Sequence, residues 1–310
     1  MDKPTFDPGL TQQVTGKLRR AINDDGSFNV HRRGVSWKDV HPYLFLLNLG
    51  WPSFLAAIFL TFLIANTIFA GIYFLLPAVE LQGSDAPTGG GRFLNDFFFS
   101  AHTLTTVGYG NIAPAGISAN FLAAFEALLG LMIFAIATGL LFGRFSKPTA
   151  KIGFSHRMLV TPYQDQTSLQ FRIVNLRPNL LMEIEATVLL MTVEGTPGHL
   201  TRRFTALTLE RDKVNFLPIT WTVVHPIDQS SPLYGKTPED LERVQAEMLI
   251  LIRGFDDTFS QTVHTRYSYR YDELAWNSKF TPAFEIDAEG DMILNVDHVG
   301  NYVLLDKAIP

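Results

Sequence analysis

Residues 42–79 contain no Asp, Glu, Lys or Arg, and residues 97–143 contain a single one, Glu126. No other feature restricts the fold as tightly. A buried helix of a soluble core needs only about 10–14 unbroken apolar positions, whereas the ~30 Å hydrocarbon core of a bilayer takes about 20. Both stretches exceed that length, so a wholly water-soluble chain is excluded. The rest is ordinary soluble sequence: residues 144–310 carry 17 basic against 21 acidic side chains. That balance leaves no footprint for nucleic acid. With no cysteine in the chain, a disulfide framework, a thiol nucleophile and a cysteine-held metal are all ruled out.

Residues 1–36 are polar and lack an apolar period, and they read as a mostly extended arm without a signal peptide. In residues 37–49, Val40, Leu44 and Leu47 share one helical face while Lys38, Asp39 and His41 lie off it. This spacing predicts an interfacial helix along the membrane; the alternative is an early start to the first span. That span is predicted over 51–77, opened by Pro52 and closed by Pro77. A glycine-rich loop follows at 80–91. Residues 92–104, with Phe93, Phe97, Phe98 and Phe99, are apolar but too short to cross, which marks a re-entrant segment. The second span is predicted over 117–145. Arg32, Arg33 and Lys38 precede the first span and Arg144, Lys147 and Lys151 follow the second, so both termini are expected in the cytoplasm.

Beyond residue 147 the period becomes that of strands. Segments 168–176, 183–194, 199–210, 215–225, 247–255 and 261–271 are alternating or β-branched, and only 238–246 reads as a helix. The domain reading is therefore an arm over 1–36, a membrane domain over 37–146 with short helix and loop at 93–110, and an all-β sandwich over 147–310.

Between the short helix and the second span stand Thr106, Val107, Gly108, Tyr109 and Gly110. Non-helical backbone at membrane depth is tolerated only where its carbonyls face an aqueous or ionic lumen. Two glycines permit backbone angles that aim successive carbonyls the same way. The pentapeptide matches the filter of potassium channels. The same residues also read as a dinucleotide fingerprint, but Pro114 and Gly116 break the helix such a site requires.

The chain resembles the prokaryotic inward-rectifier potassium channels, the KirBac group, over nearly its whole length. The filter alone would not separate that family from other potassium channels. Residues 221–235 (WTVVHPIDQSSPLYG), 175–177 (NLR), 266–269 (RYSY) and 272–276 (DELAW) carry the distinction. The resemblance implies a homotetramer in the bacterial inner membrane, with potassium ions at Thr106, Val107, Gly108 and Tyr109 and no other cofactor. It also implies an immunoglobulin-like cytoplasmic assembly that extends the pore. Gly130 falls at the family's hinge, Phe134 at its cavity position and Phe142 at the constriction where inner helices cross. Their i+4 spacing puts them near one face; the alternative is an aromatic stripe packed on the first span.

Arg144, Lys147 and Lys151 match a phosphoinositide-binding cluster, beside the plainer reading of positive-inside topology. Glu183 matches an acidic position on the cytoplasmic pore wall and Glu185 shares its strand face; a solvated face is the alternative. The strand from Asp257 to Gln261, with Ser260 in it, matches the loop that narrows the cytoplasmic entrance. Three residues depart from the family pattern. His102 stands where many members have Glu behind the filter, Asn111 stands where eukaryotic members have its Arg partner, and Arg253 stands at a position acidic in strong rectifiers. With Arg253 there and an uncharged Phe134 at the cavity position, polyamines and magnesium are expected to block only weakly. Glu126 reads either as a structural acceptor behind the filter or as a carboxyl protonated by burial.

Two rival functions have a basis in the sequence. His225, Asp228, Ser230 and Ser231 are close enough to evoke a hydrolase, but no nucleophile elbow surrounds the serines. A channel gated by a nucleotide- or calcium-sensing α/β domain would need strands alternating with helices after the second span. Here the strands run consecutively.

Overall fold

The structure, a computed structural model, describes residues 9–10, 13–14, 20–23, 25–31, 33–34, 41–84, 89–147, 150–196 and 199–306. The chain divides into two compact units, Arg33–Lys147 and the combination of Met1–Arg32 with Pro148–Pro310.

In the first unit, helix α1 spans Pro42–Asn48, with proline in the first turn where its missing N–H is not needed. Leu49 and Gly50 take extended angles, so α1 is a separate element and not an early start of the next helix. The stretch 37–40, with Lys38, Asp39 and Val40, lies outside the described residues. Helix α2, Trp51–Leu75, is 25 residues long. At 1.5 Å per residue that is about 37 Å, enough to cross the bilayer. It stops two residues short of the predicted end because Leu76, preceding Pro77, is pushed into the extended region.

Helix α3, Gly90–Leu104, begins three residues earlier than the predicted 93. Even so its 15 residues reach only about 22 Å, too short to span. Helix α4 runs Ile117–Phe145. Both long helices turn large apolar side chains outward: Leu55, Phe59, Ile64 and Ile68 on α2, and Leu128, Leu131, Met132 and Ile136 on α4, are exposed. A soluble protein would bury these; a lipid-facing surface requires them. Inside, Phe69, Tyr73, Phe99 and Ala119 cluster where the three helices meet.

The second unit contains ten principal strands. These are β1 (Ile152–Phe154), β2 (Met158–Tyr163), β3 (Gln166–Asn175), β4 (Leu181–Thr196), β5 (His199–Ala206), β6 (Lys213–Phe216), β7 (Thr220–Ile227), β8 (Glu247–Asp256), β9 (Gln261–Arg270) and β10 (Leu274–Trp276). One sheet has the order β5–β4–β8–β9, with Gln13–Val14 paired to β5 and β6 paired to β4. The other has the order β7–β3–β2–β10, with β1 on β3. All pairings are antiparallel except β10 with β2. The membrane pore helices plus this β-sandwich are the two-part fold class that the sequence implies.

The sandwich core follows from strand alternation. Ile184, Ala186, Val188 and Leu190 of β4 and Met248, Ile250 and Ile252 of β8 face Phe171, Ile173 and Val223. The other face of that sheet is also covered: Leu189, Met191, Phe204 and Leu249 pack against Ala21 and Ile22 of the arm. The arm is therefore no free extension. Arg20 donates to Ser268 and Glu273, and the Ala21 amide donates to both carboxylate oxygens of buried Glu247 at 3.0 Å. Helix α5, Pro238–Arg243, ends earlier than the predicted 246 and opens on a Thr237–Asp240 capping box. One further correction concerns residues 257–260. They form the turn between β8 and β9 rather than a strand, because the buried Asp256 carboxylate accepts the amides of Thr258 and Phe259 and bends the chain.

Candidate functional site

Helix α3 ends at Leu104, and the chain then runs non-helically through the pentapeptide. Thr106, Gly108 and Gly110 have φ of 59°, 57° and 82°. Every second residue is thus left-handed, which turns neighbouring carbonyls to a common side. Two of the three positions are glycine, for which such angles are free. Thr106 is β-branched, and holding it there costs roughly 1–2 kcal/mol. The loop is tied at its base: the His102 carbonyl accepts the amides of Val107 at 2.9 Å and Gly108 at 3.2 Å, and Thr106 N donates to Thr103 O. All five pentapeptide residues are exposed in the single chain.

Behind the loop, among the described residues, there is no ion pair of the Glu–Arg kind. The His102 ring instead meets Tyr109 edge-on, with centroids 4.8 Å apart. Deeper lies a cluster that the sequence signals only in part. Glu126 Oε2 accepts from the Tyr73 hydroxyl at 2.8 Å, Glu126 Oε1 lies 2.5 Å from Ser100 Oγ, and Ser100 Oγ lies 2.9 Å from Asn66 Oδ1. Asn66, Tyr73 and Ser100 were not among the sequence candidates, although an amide in an apolar span is itself a signal. The N-terminal end of α4 is held by Glu80, whose carboxylate accepts the Ala119 amide at 2.9 Å and so sits at the positive end of the helix dipole.

On α4, Gly130 is buried against α3. A Cβ there would lie 2.0 Å from the Leu104 carbonyl oxygen, so close helix approach, not only flexibility, requires glycine. Phe134 and Phe142 are 73% and 72% exposed, so neither packs on α2 in this chain. At the C-terminal end the Arg144 guanidinium donates to the carbonyls of Leu46, Leu47 and Leu49 at 2.7–3.0 Å and lies over the Trp51 and Phe54 rings. It caps the C-terminus of α1. Lys147 reaches the Asn48 side chain at 2.9 Å. In the other unit, Lys151 is exposed.

In the sandwich, β-register aligns a charged row across four strands. Lys213 pairs with Glu185, Glu185 with Arg253, and Arg253 with His264. Glu183 sits at a bulge with φ of 50° and forms an ion pair with Lys213 at 3.6 Å. Lys213 escaped the sequence reading, since register is invisible before strands are paired. Asp257 and Ser260 are exposed in the β8–β9 turn.

The hydrolase-like residues form no catalytic array. His225 Nε2 meets Ser231 Oγ at 2.8 Å, but both are buried, and that oxygen also accepts the Leu233 amide. His225 Nδ1 meets the Thr208 carbonyl at 2.6 Å, while hydrogen bonds from the Ser230 side chain and amide hold the Asp228 carboxyl below the usual range. Among the described residues no group of three or more His, Asp or Glu could hold a metal ion.

Comparison with known proteins fits this geometry. Residues 152–308 match the family described as inward rectifier potassium channel C-terminal domain, and residues 50–147 match the family described as ion channel. The chain is 37% identical over 281 residues to inward rectifier potassium channel Kirbac3.1 of Paramagnetospirillum magnetotacticum, covering 89% of this chain and 93% of that one. It is 26% identical over 337 residues to the human G protein-activated inward rectifier potassium channel 3, covering 100% of this chain and 84% of that one. With human inward rectifier potassium channel 18 it shares 27% over 256 residues, 76% of this chain and 59% of the relative.

Proposed function

This chain belongs to the inward rectifier potassium channel family, and on that premise we propose that four copies surround one pore filtered by Thr106, Val107, Gly108, Tyr109 and Gly110. The protein is a membrane channel for potassium and not an enzyme. The observation that carries the filter reading is the alternation of left-handed residues at Thr106, Gly108 and Gly110, directly after a helix too short to cross. Four such loops give stacked rings of oxygens that replace the hydration shell of a potassium ion. The ion passes between adjacent rings because each site binds well enough to admit it and loosely enough to release it.

Below the filter, Phe134 lines the cavity and four Phe142 side chains form a hydrophobic constriction that closes by expelling water. Their exposure in the single chain supports this reading. Motion of α1 reaches the constriction through Arg144, two residues beyond Phe142. Anionic phosphoinositide acts at the basic segment after α4, through Lys147 and Lys151. In the cytoplasmic pore, Glu183 and Glu185 stand beside Lys213 and Arg253, so their attraction for polyamines and magnesium is largely cancelled and block is weak. Asp257 and Ser260 line the entrance to that pore. The basic residues flanking the spans support an inner-membrane location with both termini in the cytoplasm.

Rubidium uptake into liposomes loaded with potassium tests the central claim. Uptake is expected only with the channel present, blocked by barium and not reproduced with sodium. Equal flux of sodium and rubidium would overturn the filter assignment.

A further inference from the structure

We propose that Glu126 is held as a neutral carboxylic acid that donates to Ser100, closing a hydrogen-bond chain that joins α2 and α4 to α3. The argument is a count of protons. Asn66, Tyr73, Ser100 and Glu126 are all 0% exposed, so no solvent makes up a missing donor. The chain of contacts runs from Tyr73 OH to Glu126 Oε2 (2.8 Å), Glu126 Oε1 to Ser100 Oγ (2.5 Å), Ser100 Oγ to Asn66 Oδ1 (2.9 Å), and Asn66 Nδ2 to the Phe62 carbonyl (2.7 Å).

Ser100 has one proton and two oxygen neighbours. If Glu126 is ionised, that proton satisfies only one of them. Given to Glu126, it leaves the Asn66 oxygen against a bare serine oxygen. Given to Asn66, it leaves a carboxylate oxygen 2.5 Å from a serine lone pair. Turning the Asn66 amide over only moves the fault, because its oxygen would then face the Phe62 carbonyl at 2.7 Å. With the proton on Glu126 Oε1, every contact has one donor and one acceptor. Tyr73 gives to Glu126, Glu126 to Ser100, Ser100 to Asn66, and Asn66 to the backbone.

The charged surroundings agree. Between Trp51 and Leu75, α2 carries no ionisable side chain except Tyr73. On α3 the nearest charged neighbours along the same face are Asp96, one turn from Ser100, and Arg92, paired with Asp96 at 3.8 Å. On α4, Arg144 is five turns away and engaged at α1. Among the described residues no cation pairs with Glu126.

Glu126 is thus a positioning residue. Ser100 stands two residues before His102, whose carbonyl anchors Val107 and Gly108, so the chain fixes the base of the filter. That consequence for conduction rests on the filter reading above, while the protonation itself does not.

Infrared spectra of the full-length channel in liposomes at neutral pH should contain a carboxylic-acid carbonyl band that Glu126→Gln removes. Glutamine can donate to Ser100 and accept from Tyr73, so this variant should keep rubidium uptake within about twofold of wild type, whereas Glu126→Leu should lose about tenfold or more. Ser100→Ala, which removes the acceptor, should shift the carbonyl band to higher frequency. The proposal fails if Glu126→Gln removes no such band, if Glu126→Gln loses as much flux as Glu126→Leu, or if the band is unmoved in Ser100→Ala. The infrared arm stands even if the channel conducts no rubidium, so its failure is separable from failure of the filter.

Discussion

The two units of the chain dispose of their side chains in opposite ways. In the sandwich, Ile184, Ile250, Ile252 and Val223 are buried between sheets, and exclusion of water drives the fold. In the membrane unit, Phe59, Ile64, Leu131 and Ile136 point outward, because lipid tails are as apolar as leucine and burial gains little. Helix contact there depends on small residues such as Gly130 and Ala119 and on one enclosed polar cluster. In the sandwich the buried polar groups are scattered, and several find separate partners. Glu247 holds the arm, Asp256 bends a turn, and Ser155 meets Tyr269.

The comparison predicts that the two units fail differently when damaged. Gly108→Ala should abolish rubidium flux while the tetramer still assembles. A Cβ at that position meets nothing within 4 Å, so the loss would come from the φ of 57° alone. Undiminished uptake by a folded variant would refute the filter. In the sandwich, Ile250→Ala should cost about 2–5 kcal/mol through a cavity at a fully buried site. Thermal unfolding followed by β-sheet circular dichroism should shift to lower temperature, with potassium selectivity kept in whatever protein stays folded. Unchanged unfolding would mean that the core tolerates collapse there.

The sequence made much of this readable, and unevenly. Charge-free length located α2 and α4 closely, because lipid imposes composition over a whole helix. Strand alternation located β3, β4, β8 and β9, but not which strand lies beside which. Lys213 opposite Glu185 and Glu183 was therefore hidden. The docked arm was hidden for a related reason: Ala21 and Ile22 are only two apolar residues, and their burial depends on a face of β4 that period alone assigns to solvent. His102 was legible as a missing ion-pair partner, yet its edge contact with Tyr109 needed coordinates.

A moderate effect should come from the cavity. Phe134 is 73% exposed in one chain and offers no charge, so spermine applied internally should block weakly. Phe134→Asp would add up to four carboxylates to one small cavity, some of them kept protonated by mutual repulsion. Even one or two ionised groups should attract a multivalent cation by several kcal/mol at an intermediate effective dielectric, roughly the range that turns shallow voltage dependence steep. Planar-bilayer currents should show this for Phe134→Asp and much less for Phe134→Asn. If the aspartate variant conducts normally with unaltered block, Phe134 does not line the cavity.

The smallest effect is expected at the basic residues that follow the second span in sequence, where Arg144 and the two lysines differ. Arg144 is committed to three carbonyls of the α1 end and to two aromatic rings. Arg144→Ala should therefore change gating even in neutral lipid, by loosening α1 from α4. Lys147 donates to the Asn48 side chain, and Lys147 and Lys151 are both exposed, as a headgroup contact would need. Each is worth roughly 1 kcal/mol at a charged surface. Replacing both by alanine should shift the phosphoinositide dose response, leave neutral-lipid gating close to wild type, and matter less as salt rises. Flux measured against phosphoinositide fraction at two ionic strengths decides it. A dose response identical to wild type would make the lysines topological, and the link between lipid and gate would then have to run through α1 and Arg144.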